Sequence, residues 1–260
     1  MPDYEPLNIA AHLNGGLDAL GADGTAEIGP RHFRGLPFAV GNDPSWCFIS
    51  LQGDSEPVSI PVGSSPSRII FAHRLLVSEI DEGGPVGVPV ADYIFSLANG
   101  EEHVVPIRER FEIGFVPTDS FRGPSGLPFL AVTDGKHRLF PRNEGPWQEI
   151  GRRQTEYLQA TAGSYFLWSW TNPEPDSQVE SIRIVPRGPS FVIAAVTLGH
   201  VDEHPFARQG RREAKITITD PVVASSPFEL EVEVDRGDTT YSFPLPKDPD
   251  DGFLNGYHRG

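Results

Sequence analysis

The chain has 260 residues, enough to bury a substantial core in one large domain, or in one domain plus a smaller appendage. Its 36 Asp and Glu outnumber its 21 Lys and Arg, for a formal net charge of -15, and such a field repels phosphate backbones and anionic lipid headgroups. Composition therefore argues against nucleic acid and membrane surfaces as partners, and the single cysteine, Cys47, excludes an intramolecular disulfide.

The first residues, from Met1 and Pro2 to Glu5 and Pro6, lack a basic segment followed by an apolar one. No later stretch is long and apolar enough to cross a bilayer, so a soluble chain is expected, with no compartment assigned. The 27 Gly and 26 Pro interrupt helices nearly everywhere and leave room for short strands between turns. Helical patterns occur only at 8–20, weakened by Gly15 and Gly16, and at 152–160.

Strands are predicted at 47–51, 58–62, 68–77, 91–98, 103–107, 111–116, 164–171, 179–185 and 191–198, a spacing typical of a sandwich or barrel. Cys47 opens the first of these and reads as a buried, inert thiol. His73 falls within an apolar strand, where it needs an interior hydrogen-bond partner. Asn99-Gly100 joins the strands at 91–98 and 103–107 and suits a type I′ hairpin turn. The run from Phe191 to Val196 is apolar at consecutive positions, as in a strand covered on both faces.

A boundary is expected near 200–213, which gives a β-sandwich domain over 1–200, a small β extension over 201–245 and a linker or tail over 246–260. Within the extension Phe228, Leu230, Val232 and Val234 alternate with Glu229, Glu231, Glu233 and Asp235, so one face is apolar and the other carries carboxylates.

A Gly-Leu-Pro-Phe corner at Gly35 to Phe38 is echoed at Gly126 to Phe129. Further along come the strand Ile69-Ile70-Phe71-Ala72-His73, the strand and turn from Tyr93 to Gly100, and Trp168-Ser169-Trp170-Thr171-Asn172-Pro173-Glu174-Pro175-Asp176 leading into Val179 to Ile184. In that order these features resemble the galactose-binding-domain-like β-sandwiches, modules found beside glycoside-active and other hydrolytic domains. The resemblance covers roughly 30–198. It implies a jelly-roll-like antiparallel sandwich, a carbohydrate-binding or spacer role, ligand loops at one edge and, often, a structural calcium.

Trp147 sits in a Gly/Pro-rich loop, where its ring offers a flat apolar face to a sugar or plugs the loop. Trp168 and Trp170 share one face of a strand, with core packing as the simpler reading. Asn172 and Asp176 occupy a turn stiffened by two prolines, where their side chains cap local N–H groups or meet a ligand. Trp147, Trp170, Asn172 and Asp176 form the candidate ligand set. Asp81, Glu82, Asp202 and Glu203 are acidic turn residues suited to a hard cation, though no spacing among them is specific for calcium.

His200-Val201-Asp202-Glu203-His204 fits the His-x-x-Glu-His signature of inverted zinc peptidases, in which one helical face presents both imidazoles. Gly199 before it and Pro205 after it disfavour that helix. Glu101-Glu102 and the row from Glu229 to Asp235 read as solvated surface rather than as a glycosidase pair.

The reading that results is an all-β module, not catalytic by itself, that binds carbohydrate or another small polar ligand or scaffolds a downstream catalytic domain. The alternatives are a metal-assisted hydrolase using residues 200–204 and a structural part buried against a partner chain.

Overall fold

The computed structural model describes residues 2–21, 24–116, 130–135, 139–141, 154–156, 162–206 and 219–222. The chain divides into two compact units, Met1–Gly135 with Thr161–Ala207, and Lys136–Ala160 with Arg208–Gly260.

Strands in chain order are β1 (Tyr4–Leu7), β2 (Pro30–Phe33), β3 (Leu36–Ala39), β4 (Ile49–Leu51), β5 (Val58–Ser64), β6 (Arg68–Leu75), β7 (Pro89–Leu97), β8 (Glu102–Arg108), β9 (Val132–Thr133), β10 (Leu139–Pro141), β11 (Gln154–Glu156), β12 (Phe166–Thr171), β13 (Val179–Pro186) and β14 (Phe191–Gly199). In the first unit, one sheet runs β1-β14-β6-β12-β9, with β4 also on β14, and a second runs β5-β13-β7-β8. All their ladders are antiparallel. The described residues thus form an all-β, sandwich-like fold. In the second unit, β10 and β11 pair antiparallel, with Phe140 opposite Thr155.

Two apolar layers hold the first unit together. Between the sheets, Ile69, Phe71 and Leu75 of β6 meet Tyr93 and Phe95 of β7 and Ile182 and Ile184 of β13. On the opposite face of the larger sheet, Ile70, Ala72, Leu167, Val192 and Ala194 pack against Phe33, Leu36 and Phe38 of the β2–β3 hairpin and against Cys47 and Phe48. Strand β14 is therefore buried along its whole length, as its consecutive apolar residues demand. Each fully buried Val, Leu, Ile or Phe contributes about 1.5–3 kcal/mol of transfer free energy.

A one-residue irregularity in β14 between Ile193 and Ala195 resets its alternation. Before it Phe191 and Ile193 face the second sheet; after it Val196 and Leu198 do, while Ala194 and Ala195 both turn to the other layer. Strand β13 shifts in the same way between Val179 and Ser181.

Four local expectations are corrected. The helix expected at 8–20 is two 3-10 turns, Ala10–His12 and Leu17–Leu20, because Asn14 and Gly15 donate to the Phe48 carbonyl instead. Gly16 crosses so near the backbone at Pro44 that a Cβ there would lie 2.4 Å from the Pro44 carbonyl oxygen. The helix expected at 152–160 holds strand β11 instead. Residues 111–116, expected as a strand, make only the isolated bridges Glu109↔Ile113 and Leu75↔Phe115.

The β7–β8 hairpin forms where expected, but its turn is not type I′. Positive φ is confined to Gly100, the Gly100 N–H donates to Leu97, and the Leu97 N–H donates to the Glu101 carbonyl, which is a three-residue loop with a glycine bulge. Both central residues of the β2–β3 turn, Arg34 and Gly35, have positive φ, and the Arg34 Nε donates to the Thr133 carbonyl at 2.6 Å. The second Gly-Leu-Pro-Phe corner, the alternating segment at 228–235 and the tail at 246–260 lie outside the described residues.

Candidate functional site

Four connections end at the same edge of the first unit, because Leu51, Leu75 and Phe191 share one register position and Pro89 pairs with Arg108 nearby. They enclose a cleft of about 550 Å³. Its walls are Gln52, Gly53 and Asp54 after β4, Val77, Glu79, Ile80, Pro85 and Val88 between β6 and β7, Glu109 after β8, and Gly188 to Ser190 between β13 and β14. A Cβ on Gly188 would lie 2.9 Å from the Pro89 carbonyl oxygen, so glycine lets the β13–β14 loop close against β7.

Glu109 is the chemically distinctive residue of this cleft. It is only 3% exposed, and its carboxylate accepts a short hydrogen bond from the Ser78 hydroxyl. Burial raises its pKa; the Ser78 hydrogen bond and the nearby Arg110 oppose the rise, and Glu79 adds to it. The backbone around Glu109 is fixed by its own N–H donating to Val88 and by the bridge to Ile113. With Asp54 and Glu79 it supplies three carboxylates, joined by the Gln52 amide and the Ser190 hydroxyl, above apolar walls of Val77, Ile80, Val88 and Pro189. That arrangement accepts hydrogen bonds from hydroxyl or ammonium groups and covers an adjoining C–H surface.

Sequence reasoning did not single out Glu109. It stands between Arg108 and Arg110, which reads as ordinary surface charge, and only the pairing of β8 with β7 turns it inward.

The residues proposed from sequence occupy other places. Trp147 lies outside the described residues. Trp170 is 6% exposed and stacks on Phe95, with ring centroids 4.0 Å apart and planes at 2°. Asn172 is buried; its Nδ2 donates to the Pro66 carbonyl and its Oδ1 accepts from the Glu174 N–H, so it braces the corner. Asp176 is exposed on the turn that follows. This corner adjoins the β7–β8 turn, since Val179 pairs with Leu97 and the Ala98 N–H donates to Gln178. It is the end of the sandwich away from the cleft.

Asp81 and Glu82 stand exposed on a 3-10 turn, and Asp202 is exposed 3.8 Å from Arg68 Nη2. Residues 201–206 are bends and a turn, not a helix, so the His-x-x-Glu-His signature lacks the frame it requires. His200 Nε2 pairs with Glu5 Oε1 at 3.0 Å, Glu203 Oε1 accepts from the Tyr4 hydroxyl, and His204 Nδ1 accepts from the Phe206 N–H. Among the described residues, one group of three potential metal ligands converges, Glu101, His103 and Glu174.

Cys47 is fully buried, and burial, reinforced by Asp18 and Asp43, pushes its thiol up to about 11, so it is protonated at neutral pH. No helix among the described residues is long and apolar enough to cross a membrane.

Comparison of the chain with protein-family models, curated proteins and solved structures returned no match.

Proposed function

We propose that this chain is a non-catalytic β-sandwich module of the galactose-binding-domain-like kind, which holds a carbohydrate in its end cleft and serves as an accessory or scaffold to a hydrolase domain. The observation that carries the reading is the cleft itself, a loop-built hollow with a buried carboxylate at Glu109 and carboxylates at Asp54 and Glu79. Its volume of about 550 Å³ suits a ligand of one or two sugar rings. Carboxylate oxygens accept from sugar hydroxyls in pairs, and the apolar walls face the C–H surface of a ring. The antiparallel sandwich, with the ligand end formed by loops, supports the family resemblance read from the corner at Trp168 to Asp176.

A glycan array followed by isothermal titration calorimetry tests this. Saturable binding of a neutral or basic glycan is expected, and Glu109→Gln, which keeps the shape and the Ser78 contact, should weaken it about tenfold, the equivalent of one charge-assisted hydrogen bond. Binding that survives both Glu109→Gln and Asp54→Asn would remove the cleft from consideration. Absence of any glycan ligand leaves the scaffold role alone.

A further inference from the structure

We propose that Glu101, His103 and Glu174 bind one divalent transition-metal ion of the zinc(II) type, which clamps the β7–β8 hairpin to the turn after β12. Glu101 and His103 sit together on the β7–β8 hairpin and Glu174 arrives from the distant turn after β12, yet their ligand atoms all lie within 4.8 Å of one another. The site lies at the opposite end of the sandwich from the cleft, so this inference stands independently of the carbohydrate reading.

The contacts around His103 leave room for a cation. His103 Nε2 is shielded from solvent and has no hydrogen-bond partner. It faces Glu101 Oε2 at 3.9 Å, too far for a hydrogen bond. In the neutral tautomer that carries its proton on Nδ1, Nε2 aims a lone pair at a carboxylate oxygen. The two carboxyl groups also approach each other, with ligand oxygens within 4.8 Å. A dication between the three groups removes the repulsion and satisfies the lone pair together.

The surroundings already hold the ligands in place. Asn99 Nδ2 donates to Glu174 Oε2 at 2.8 Å and so orients that carboxylate as outer-shell groups do at metal sites, while Asn99 Oδ1 accepts from the Glu101 backbone N–H at 3.0 Å and fixes the main chain there. His103 is opposite Phe95 in the β7–β8 ladder, and its ring lies 6.1 Å from that of Trp170, which fixes its direction. One imidazole nitrogen with two carboxylates suits zinc(II), cobalt(II) or nickel(II) better than calcium, which takes oxygen alone. Three protein ligands leave a fourth position to water.

The test is calorimetric titration of the full chain, stripped with a chelator, using zinc chloride and calcium chloride separately, with cobalt(II) absorption as a second reading. One equivalent of zinc is expected to bind, calcium at least about tenfold more weakly, and cobalt to give a visible band typical of four-coordination. His103→Ala and Glu174→Gln should each weaken zinc binding about tenfold or more and abolish the cobalt band, while His200→Ala/His204→Ala leaves both unchanged. If His103→Ala disturbs folding, as judged by circular dichroism without metal, Glu174→Gln on the turn carries the same reading. No stoichiometric zinc site, binding indifferent to both variants, binding lost in His200→Ala/His204→Ala, or calcium bound as tightly as zinc would each overturn the proposal.

Discussion

His73 shows how a single residue sets a pH limit on this fold. Its Nε2 lies 3.0 Å from the Glu112 carbonyl, which can only accept, so Nε2 carries the proton and Nδ1 accepts from the Tyr93 hydroxyl, also at 3.0 Å. Both nitrogens are thereby committed to the neutral tautomer. Burial drives its pKa down from 6.5 to about 4, although the bond to Glu112 works the other way. The unfolded chain takes up a proton below 6.5 and the native chain does not until about 4, so stability falls as pH drops through that window. The full loss is about 3 kcal/mol, of which about 2 kcal/mol is reached by pH 5. Urea denaturation at pH 7 and pH 5 should show that decrement in the native chain and lack it in His73→Gln. Equal decrements in the two proteins would mean that other groups govern the acid sensitivity. The partner requirement of His73 was legible in the sequence, because a polar ring within Ile69 to Leu75 has no other way to be buried; the identity of the partners was not, since Tyr93 and Glu112 arrive from other elements.

At the scale of elements, the long apolar runs disclosed the central strands, and the irregular features stayed hidden. Strand β14 announces burial on both faces through its unbroken apolar run from Phe191 to Val196, and β6 carries a shorter run from Ile69 to Ala72. The same unbroken run conceals the irregularity at Ile193 to Ala195, because a sequence without alternation has no period to violate. Strand β1 was missed because four residues that include Pro6 carry no pattern; it forms because β14 offers it an open edge at Val196 to Gly199. The turn at Asn99-Gly100 was placed correctly but typed wrongly, since Asn99 uses its side chain to accept the Glu101 N–H and leaves the left-handed conformation to Gly100 alone. The irregularity in β14 supplies a severe test of the layer assignment. Deleting Ala195 puts Val196 two positions after Ile193, so strict alternation leaves Val196 and Leu198 on the second sheet beside Phe191 and Ile193 and only the irregularity is lost. The near-ultraviolet circular dichroism signal and a cooperative thermal transition are therefore expected to persist in the deletion variant, whereas loss of both would show that Val196 and Leu198 do not face the layer assigned to them.

Taken as a whole, the first unit closes on itself, and this determines where function can be located. Its opening strand β1 pairs with its last strand β14, Tyr4 opposite Gly199, so the sheet that forms the centre of both apolar layers is complete by residue 199. The sandwich then presents loops at two ends, the cleft around Glu109 at one and the Glu101, His103 and Glu174 group at the other. The architecture was foreseeable from strand spacing, whereas the cleft was not: its walls come from four connections whose residues carry no motif and meet only after the sheets assemble. The corner from Trp168 to Asp176 was conspicuous in sequence for a physical reason of its own, because Trp170 stacks on Phe95 and Asn172 ties the turn to Pro66. If the first unit owns its core, a chain ending at Ala207 keeps every strand of both sheets. That shortened chain is expected to unfold in one cooperative transition, with amide hydrogens of β6, β7, β13 and β14 exchanging more slowly than those of the surrounding loops. Removing in addition the residues before Ile9 strips β1 from β14 and takes Tyr4 from the second apolar layer, so the transition should move to lower urea and protection at Val196 to Gly199 should fade first. A chain ending at Ala207 that binds hydrophobic dye and melts without cooperativity would show instead that these sheets depend on residues beyond it.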